Sequence, residues 1–401
     1  MISQPRVLSA MRPNGRMHLG HYFNVLTNWK KIQYEYDCFF MLADVQRMLS
    51  QFDNNQNLAE TIHEVVIDWL AAGIDPSQAT IFVQSKVPEH SELSTLLGAI
   101  TPLSWLERVP SYKEKIDRLE HTDLNTYGFL GSPLLQSADI LIYNSKYVTV
   151  DEDQWANIEL TREIARRFNH MFGREEGFEE KAYESIKKLG SKKAEIYEQM
   201  LMKYQQQGDI EALDKARFLL QDALNLAHGD RERLFAFLEN KGKVIFNEPQ
   251  VLSENKSIRV PGTDGYKMSN SENNFIHLRE DKDSINKKIR NMTTDPARVR
   301  RSDPGNPECC PVWSLHQIYS NQDIKDWAEL GCMSAGIGCL DCKQPLIDAI
   351  NLQQQELIQK ARPYTEDPTS VKRIIADGCQ RARDVANETL KEIKSAMNLD
   401  Y

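Results

Sequence analysis

Cysteine is scarce in this sequence, seven residues in 401, and no apolar run approaches the ~18–20 residues that a bilayer-spanning helix needs. The first scarcity argues against a disulfide-stapled secreted domain, and the second against a membrane protein. The opening Met-Ile-Ser-Gln-Pro-Arg has no apolar core of the kind a secretory leader carries, so a soluble cytoplasmic protein is the expected class. Positive charge is not in excess: the formal net charge is -9. That balance argues against non-specific DNA binding but leaves room for an RNA met by a local basic face. Gly-x-Gly-x-x-Gly is missing as well, which removes the dinucleotide-binding reading of any α/β pattern.

What is present is apolar content of 41%, enough for a sizeable core, on a chain long enough for two or three domains. The first hundred residues alternate strand-like and helix-like signals. Arg6–Ala10 reads as a buried strand, and a helix follows from about Leu19 to Lys31. Cys38–Ala43 is a continuous apolar run, as in a strand covered on both faces. Leu58–Ala72 carries apolar residues at helical spacing and stops at Gly73; Ala79–Val83 is the next strand. Such alternation implies a parallel sheet of Rossmann type. Residues 90–146 read as mostly helical, and Ile158–Phe168 as a long amphipathic helix.

Two stretches carry chemistry. Arg12-Pro-Asn-Gly-Arg-Met-His-Leu-Gly-His21 lies between the first strand and helix, where a helix start can meet phosphate. Gly15 and Gly20 allow close backbone approach, and His18 and His21, three apart, share a helical face. Far along the chain, Val260-Pro-Gly-Thr-Asp-Gly-Tyr-Lys-Met-Ser-Asn-Ser271 has the glycines of a mobile turn and a lysine that can reach a polyphosphate.

His18-Leu-Gly-His21 resembles the H-I-G-H signature of class I aminoacyl-tRNA synthetases, and Lys267-Met-Ser-Asn-Ser271 resembles their K-M-S-K-S loop. Ala138-Asp-Ile-Leu141 and Glu152-Asp-Gln154 bring the resemblance to the tryptophanyl branch, over most of the chain. The resemblance implies ATP-dependent activation of L-tryptophan and transfer to tRNA(Trp), with ATP and Mg²⁺ required and a homodimer expected. It assigns catalysis to His18, His21, Lys115 and Lys267, which with Mg²⁺ would supply charge to the phosphates. It assigns ATP contacts to Arg12, Gly20, Asp153, Met268, Ser269 and Ser271, and tryptophan contacts to Gln136, Asp139 and Gln154. Asp139 interrupts an apolar helix, where a carboxylate needs a donor. An indole N–H is one such donor; a backbone or arginine N–H is the structural alternative.

Departures are Asn270 in place of the second lysine, with Arg12 as a candidate substitute cation, Asp151 for a glycine, Ser132 for a tyrosine and Gln136 for a methionine. Residues 173–243, rich in Glu, Lys and Gln and without proline, read as an inserted helical hairpin with a third helix over Arg231–Leu238. Its stripes are Ile196, Met200, Tyr204 and then Leu213, Ala216, Leu219, Leu220, Ala223, with Gly208 between.

Five cysteines fall between Cys309 and Cys342, and in a reducing cytosol such a group reads as a metal site before it reads as disulfides. The spacing of Cys309, Cys332, Cys339 and Cys342 resembles that of tryptophanyl enzymes carrying a [4Fe–4S] cluster. Four thiolates equally suit Zn²⁺, and Cys310 is expected to be a bystander. Arg298, Arg300 and Arg301 form a candidate basic patch for RNA. A last helix carries Ala382, Ala386, Thr389, Ile393 and Met397 on its apolar stripe.

The expected architecture is therefore α/β: a Rossmann-type parallel-sheet nucleotide-binding domain over 1–172, a helical insertion over 173–243, a return to the catalytic domain over 244–280, and a helical, anticodon-binding-like domain over 281–401.

Overall fold

The computed structural model describes residues 4–50, 57–110, 126–173, 177–223, 225–239, 244–252, 258–270 and 272–400. The chain divides into two compact units, Met1–Lys86 with Leu252–Ala382, and Val87–Val251 with Arg383–Tyr401.

In the first unit, strands β1 (Arg6–Met11), β2 (Asp37–Leu42) and β3 (Ala79–Val83) are parallel in the order β3-β2-β1. Leu8 stands opposite Phe39, and Phe39 opposite Thr80. All five residues of β3 are buried, as a strand covered on both faces requires. Helix Leu58–Ala72 ends at Gly73 in the left-handed conformation, matching the predicted boundaries. The β1–β2 crossover is helical from Leu19 to Ile32, but its middle, Tyr22–Leu26, winds as a π-helix that periodicity does not reveal. The apolar centre forms around Trp29, which stacks on Phe40 at 4.1 Å, meets Trp69 edge-on and donates its indole N–H to Ser9 Oγ at 2.8 Å. On the last helix, Pro368–Ala396, the Cys379 thiol accepts the Val83 N–H at 3.5 Å.

In the second unit, helices Glu89–Gly98, Tyr127–Leu141 and Trp155–Phe172 pack together, and β4 (Tyr147–Thr149) pairs in parallel with β5 (Gln250–Val251). The region read as a hairpin has four helices: Phe178–Lys188, Ser191–Gln207, Ile210–Gln221 and His228–Leu238. They enclose an apolar centre that includes Tyr197, Leu201, Leu213, Ala216, Leu220, Leu234 and Leu238. The second stripe is as expected. Of the first, Met200 and Tyr204 pack against this centre while Ile196 is exposed, and Leu201 and Tyr197, whose buried hydroxyl donates to the Leu234 carbonyl at 2.6 Å, complete it. Among the described residues no helix is long and apolar enough to cross a membrane.

Candidate active site

The two phosphate-type motifs meet inside the first unit, joined by backbone. Leu19 N–H donates to the Ile276 carbonyl at 3.0 Å, and Leu278 N–H to the Met17 carbonyl at 2.9 Å, so His18 and His277 form an antiparallel bridge. These bonds lay the segment after Lys267 beside the turn that opens the helix. The Lys267 loop is closed by Met268 N–H to the Val260 carbonyl at 3.1 Å and Gly262 N–H to the Tyr266 carbonyl at 2.7 Å. Asn274 braces it from within. Its Oδ1 accepts the Ser269 N–H at 2.8 Å, and its Nδ2 donates to Asp264 and to the Lys267 carbonyl. A Cβ on Gly262 would lie 2.4 Å from the Asn274 side chain, so only glycine fits there.

The histidine pair is built equally tightly. His18 Nδ1 accepts the Gly20 N–H at 3.1 Å, and His21 Nδ1 accepts the His18 N–H at 3.3 Å. A Cβ on Gly20 would come within 2.9 Å of the His18 ring. With each Nδ1 accepting, the ring proton of each neutral imidazole sits on Nε2, which becomes the outward donor. The rings stack with centroids 3.7 Å apart. Burial first, then the neighbouring His21, His277 and Lys267, hold His18 down to about 3. Burial, then Lys267 and His277, hold His21 down to about 4. This corrects the expectation that the imidazoles bring charge: at neutral pH they are neutral N–H donors. Lys267, exposed beside them, is a cation near both rings.

Asn270, standing where a second lysine was anticipated, donates to the Arg16 carbonyl at 3.3 Å and packs near Gly15. It ties one motif loop to the other. Met268 is buried, Ser269 partly buried, and Arg12 lies just past β1, partly exposed. Lys115 and Ser271 fall outside the described residues.

The second unit holds the other predicted residues. Asp139 is 2% exposed, and an imidazole is among its partners. His90 Nδ1 lies 2.6 Å from Asp139 Oδ1, and His90 Nε2 lies 2.7 Å from the Tyr143 hydroxyl. Gln136 and Gln154 are brought together by Asn157, whose amide donates to both side-chain oxygens at 2.7 and 2.9 Å. The buried Asn157 Oδ1 has no protein partner among the described residues. Asp153 is exposed and accepts from Gln154.

The cysteine region returns to the first unit. Burial pushes the Cys342 thiol up to about 12, with Cys310, Cys332 and Cys339 adding like charge. Cys332 is likewise raised, first by burial, and it too feels Cys310 and Cys339. Cys309, expected as the first ligand, is exposed and accepts from Asn306 at 3.3 Å. Cys310, expected as a bystander, also lies near Cys332 and Cys342. Among the described residues no three cysteine, histidine or acidic side chains stand close enough to hold an ion as they are. Arg298 corrects the basic-patch reading. It is buried and donates to the Ile337 carbonyl at 2.6 Å, the Arg301 carbonyl at 3.0 Å and Cys332 Sγ at 3.7 Å. Arg300 and Arg301 remain exposed.

With this arrangement in view, the chain was compared with known proteins. The family model of the class I tRNA synthetases (W and Y) matches residues 3–194 and 231–353. The chain belongs to this family. It is similar to a tryptophan–tRNA ligase of Ralstonia nicotianae, 54% identical over 396 residues and 99% of each chain. A tryptophan–tRNA ligase of Thermotoga maritima is 38% identical over 398 residues, 99% of this chain and 100% of its own. In three dimensions the chain resembles the tryptophanyl-tRNA synthetase of Campylobacter jejuni complexed with ADP and tryptophan, with a TM-score of 0.73, 24% identity, and 98% and 100% of the two chains covered. A tyrosyl-tRNA synthetase of Archaeoglobus fulgidus also matches, at a TM-score of 0.53 and 16% identity over 89% and 90% of the chains. The class I fold alone thus does not separate the two amino acids.

For this class I synthetase, sequence reasoning missed His90, Asn157, Asn274 and His277. Asn274 had a usable signal, as an amide shortly after a glycine-bearing turn. The others act across helices and left no local trace.

Proposed function

We propose that the chain is a tryptophan–tRNA ligase, which activates L-tryptophan with ATP and transfers it to tRNA(Trp). The observation that carries this is the backbone interlock of His18-Leu-Gly-His21 with the Lys267 loop, taken with full-length relatives of that activity. A tryptophan carboxylate oxygen attacks the α-phosphorus of ATP and pyrophosphate leaves. A hydroxyl of the terminal tRNA ribose then takes the acyl group and AMP departs.

No side chain serves as nucleophile. His18 and His21 donate Nε2–H bonds to phosphate oxygens, Lys267 supplies positive charge, and Lys115 is proposed as a second lysine at the phosphates. Mg²⁺ bound with ATP would neutralise part of the triphosphate charge. Arg12, Gly20, Asp153, Met268, Ser269 and Ser271 are proposed ATP contacts. Gln136, Asp139 and Gln154 are proposed tryptophan contacts, with selection resting on Asp139 accepting the indole N–H. A site that pairs one N–H rejects substrates lacking it strongly.

Four thiolates suit a [4Fe–4S] cluster, with Zn²⁺ as the alternative, and Cys309, Cys332, Cys339 and Cys342 are proposed to hold it, with Cys310 beside them. The group would clamp the ends of the helices that bear these cysteines, with no part in the chemistry of acyl transfer. The helical region after residue 281 is proposed to contact the anticodon, the enzyme to act as a homodimer, and the cytoplasm to be its location. Pyrophosphate exchange with ATP, run with each amino acid, tests the central reading. Exchange should depend on tryptophan, whereas dependence on tyrosine would assign the other branch of the family.

A further inference from the structure

We infer that His90 is a positioning residue for tryptophan selection, acting through Asp139; this rests on the proposed indole contact of Asp139. The three groups involved are all interior to the second unit: His90 is 1% exposed, Asp139 2% and Tyr143 0%. They come from two helical segments. His90 lies in the first turn of Glu89–Gly98, Asp139 lies in Tyr127–Leu141, and Tyr143 follows two residues after that helix.

The hydrogen-bond chemistry sets a direction. A carboxylate has only acceptor sites, so His90 Nδ1 donates to Asp139 Oδ1 across 2.6 Å. A ring with its single proton on Nδ1 presents a lone pair on Nε2, which takes the Tyr143 O–H across 2.7 Å. The chain therefore runs from hydroxyl to imidazole to carboxylate. The His90 and Tyr143 rings meet edge-on with centroids 5.4 Å apart, which holds the imidazole plane. A carboxylate offers about four lone-pair sites, so accepting from His90 does not exhaust it. The bond from His90 sets the rotation of the carboxyl group about its Cβ–Cγ axis, and with it the direction of the remaining lone pairs. Without that bond the carboxyl group loses one of the contacts that orient it, and discrimination for an indole N–H relaxes.

The test compares kcat/KM in pyrophosphate exchange for tryptophan with that for an analogue whose indole N–H is replaced by sulfur. His90→Leu removes the donor, His90→Asn keeps an N–H near the Nδ1 position, and Tyr143→Phe removes the outer hydroxyl. The preference for tryptophan over the sulfur analogue is expected to fall on the order of 100-fold in His90→Leu, out of the ~10⁴-fold a paired N–H can give. It should stay within about tenfold of the parent in His90→Asn and be intermediate in Tyr143→Phe, with the KM for ATP unchanged throughout. Equal losses for both substrates, leaving the preference intact in all three variants, would make His90 a packing residue and overturn the inference. Asp139→Asn separates the two levels. If it leaves the preference intact, the indole reading of Asp139 fails. If it collapses the preference while His90→Leu does not, only the role of His90 fails. Because the readout is a ratio, a partly unfolded preparation does not mask the answer.

Discussion

The histidine turn and the cysteine region both belong to the first unit, and they are held together differently. Around His18 and Lys267 the partners are main-chain groups: Leu19 with Ile276, Leu278 with Met17, Met268 with Val260. Main-chain pairing locks register, so a motif residue cannot move one position without breaking the ladder. Around Cys332 and Cys342 the main chain is bonded too, with Gly305 N–H on the Cys332 carbonyl at 3.0 Å, but the thiols themselves meet side chains: Arg298 on one, and His316 Nε2 at 3.4 Å from the other. Side-chain contacts set a thiol's surroundings without locking register, so the histidine motif is held to its positions more rigidly than the thiols are.

Four experiments probe that contrast, from the largest expected effect to the smallest. Lys267→Ala should lower the rate of tryptophan-dependent exchange by on the order of 10²–10³, as loss of one preorganised contact to developing charge does. Steady-state kinetics should show the KM for tryptophan little changed. Next, Cys309→Ala should strip the metal from anaerobically purified protein while Cys310→Ala keeps it, read as iron and zinc content and visible absorption. The reverse result would move the ligand one position along the chain, which the looser side-chain setting of the thiols permits.

Asn274→Ala removes the amide that braces the Lys267 loop and leaves the Ser269 N–H without its acceptor, a loss of about 1–3 kcal/mol. It should reduce kcat/KM for ATP by about tenfold or more, whereas Asn270→Ala, which loses a single long bond to Arg16, should change it less. The smallest effect is in pH. In the unfolded chain His18 and His21 take up protons as pH falls through 6.5, while the folded protein keeps them neutral until about 3 and about 4. Their contribution to stability is therefore whole above 6.5 and is lost as pH falls from 6.5 to about 4 for His21 and about 3 for His18. Urea midpoints at about pH 7.5 and about pH 5 should draw apart in the parent and less so in a His18→Asn, His21→Asn double variant.

Much of the first unit was readable from sequence. Leu58–Ala72 and Ala79–Val83 have strong periodicity or continuous apolarity and clear stops, and both boundaries agree with the structure. The strands Tyr147–Thr149 and Gln250–Val251 were not seen, since two or three residues cannot display a period of two. The exposure of Ile196 has a similar origin: three apolar residues at helical spacing locate a stripe but not its edge, and Met200 and Tyr204 are the two that pack inward. The buried Tyr197 is held there by a carbonyl from a helix much later in the chain.

Sequence by itself determined which residues make up the nucleotide motifs, because their identities and local spacing are set by short loops. It also determined the alternation of strands and helices of the parallel sheet. Tertiary structure alone decided the partners. It put an imidazole on Asp139, an amide between Gln136 and Gln154, and a neutral rather than a charged state on His18 and His21. The reason is common to all three. Burial and hydrogen-bond direction depend on groups far away in the chain, and local pattern holds no record of them.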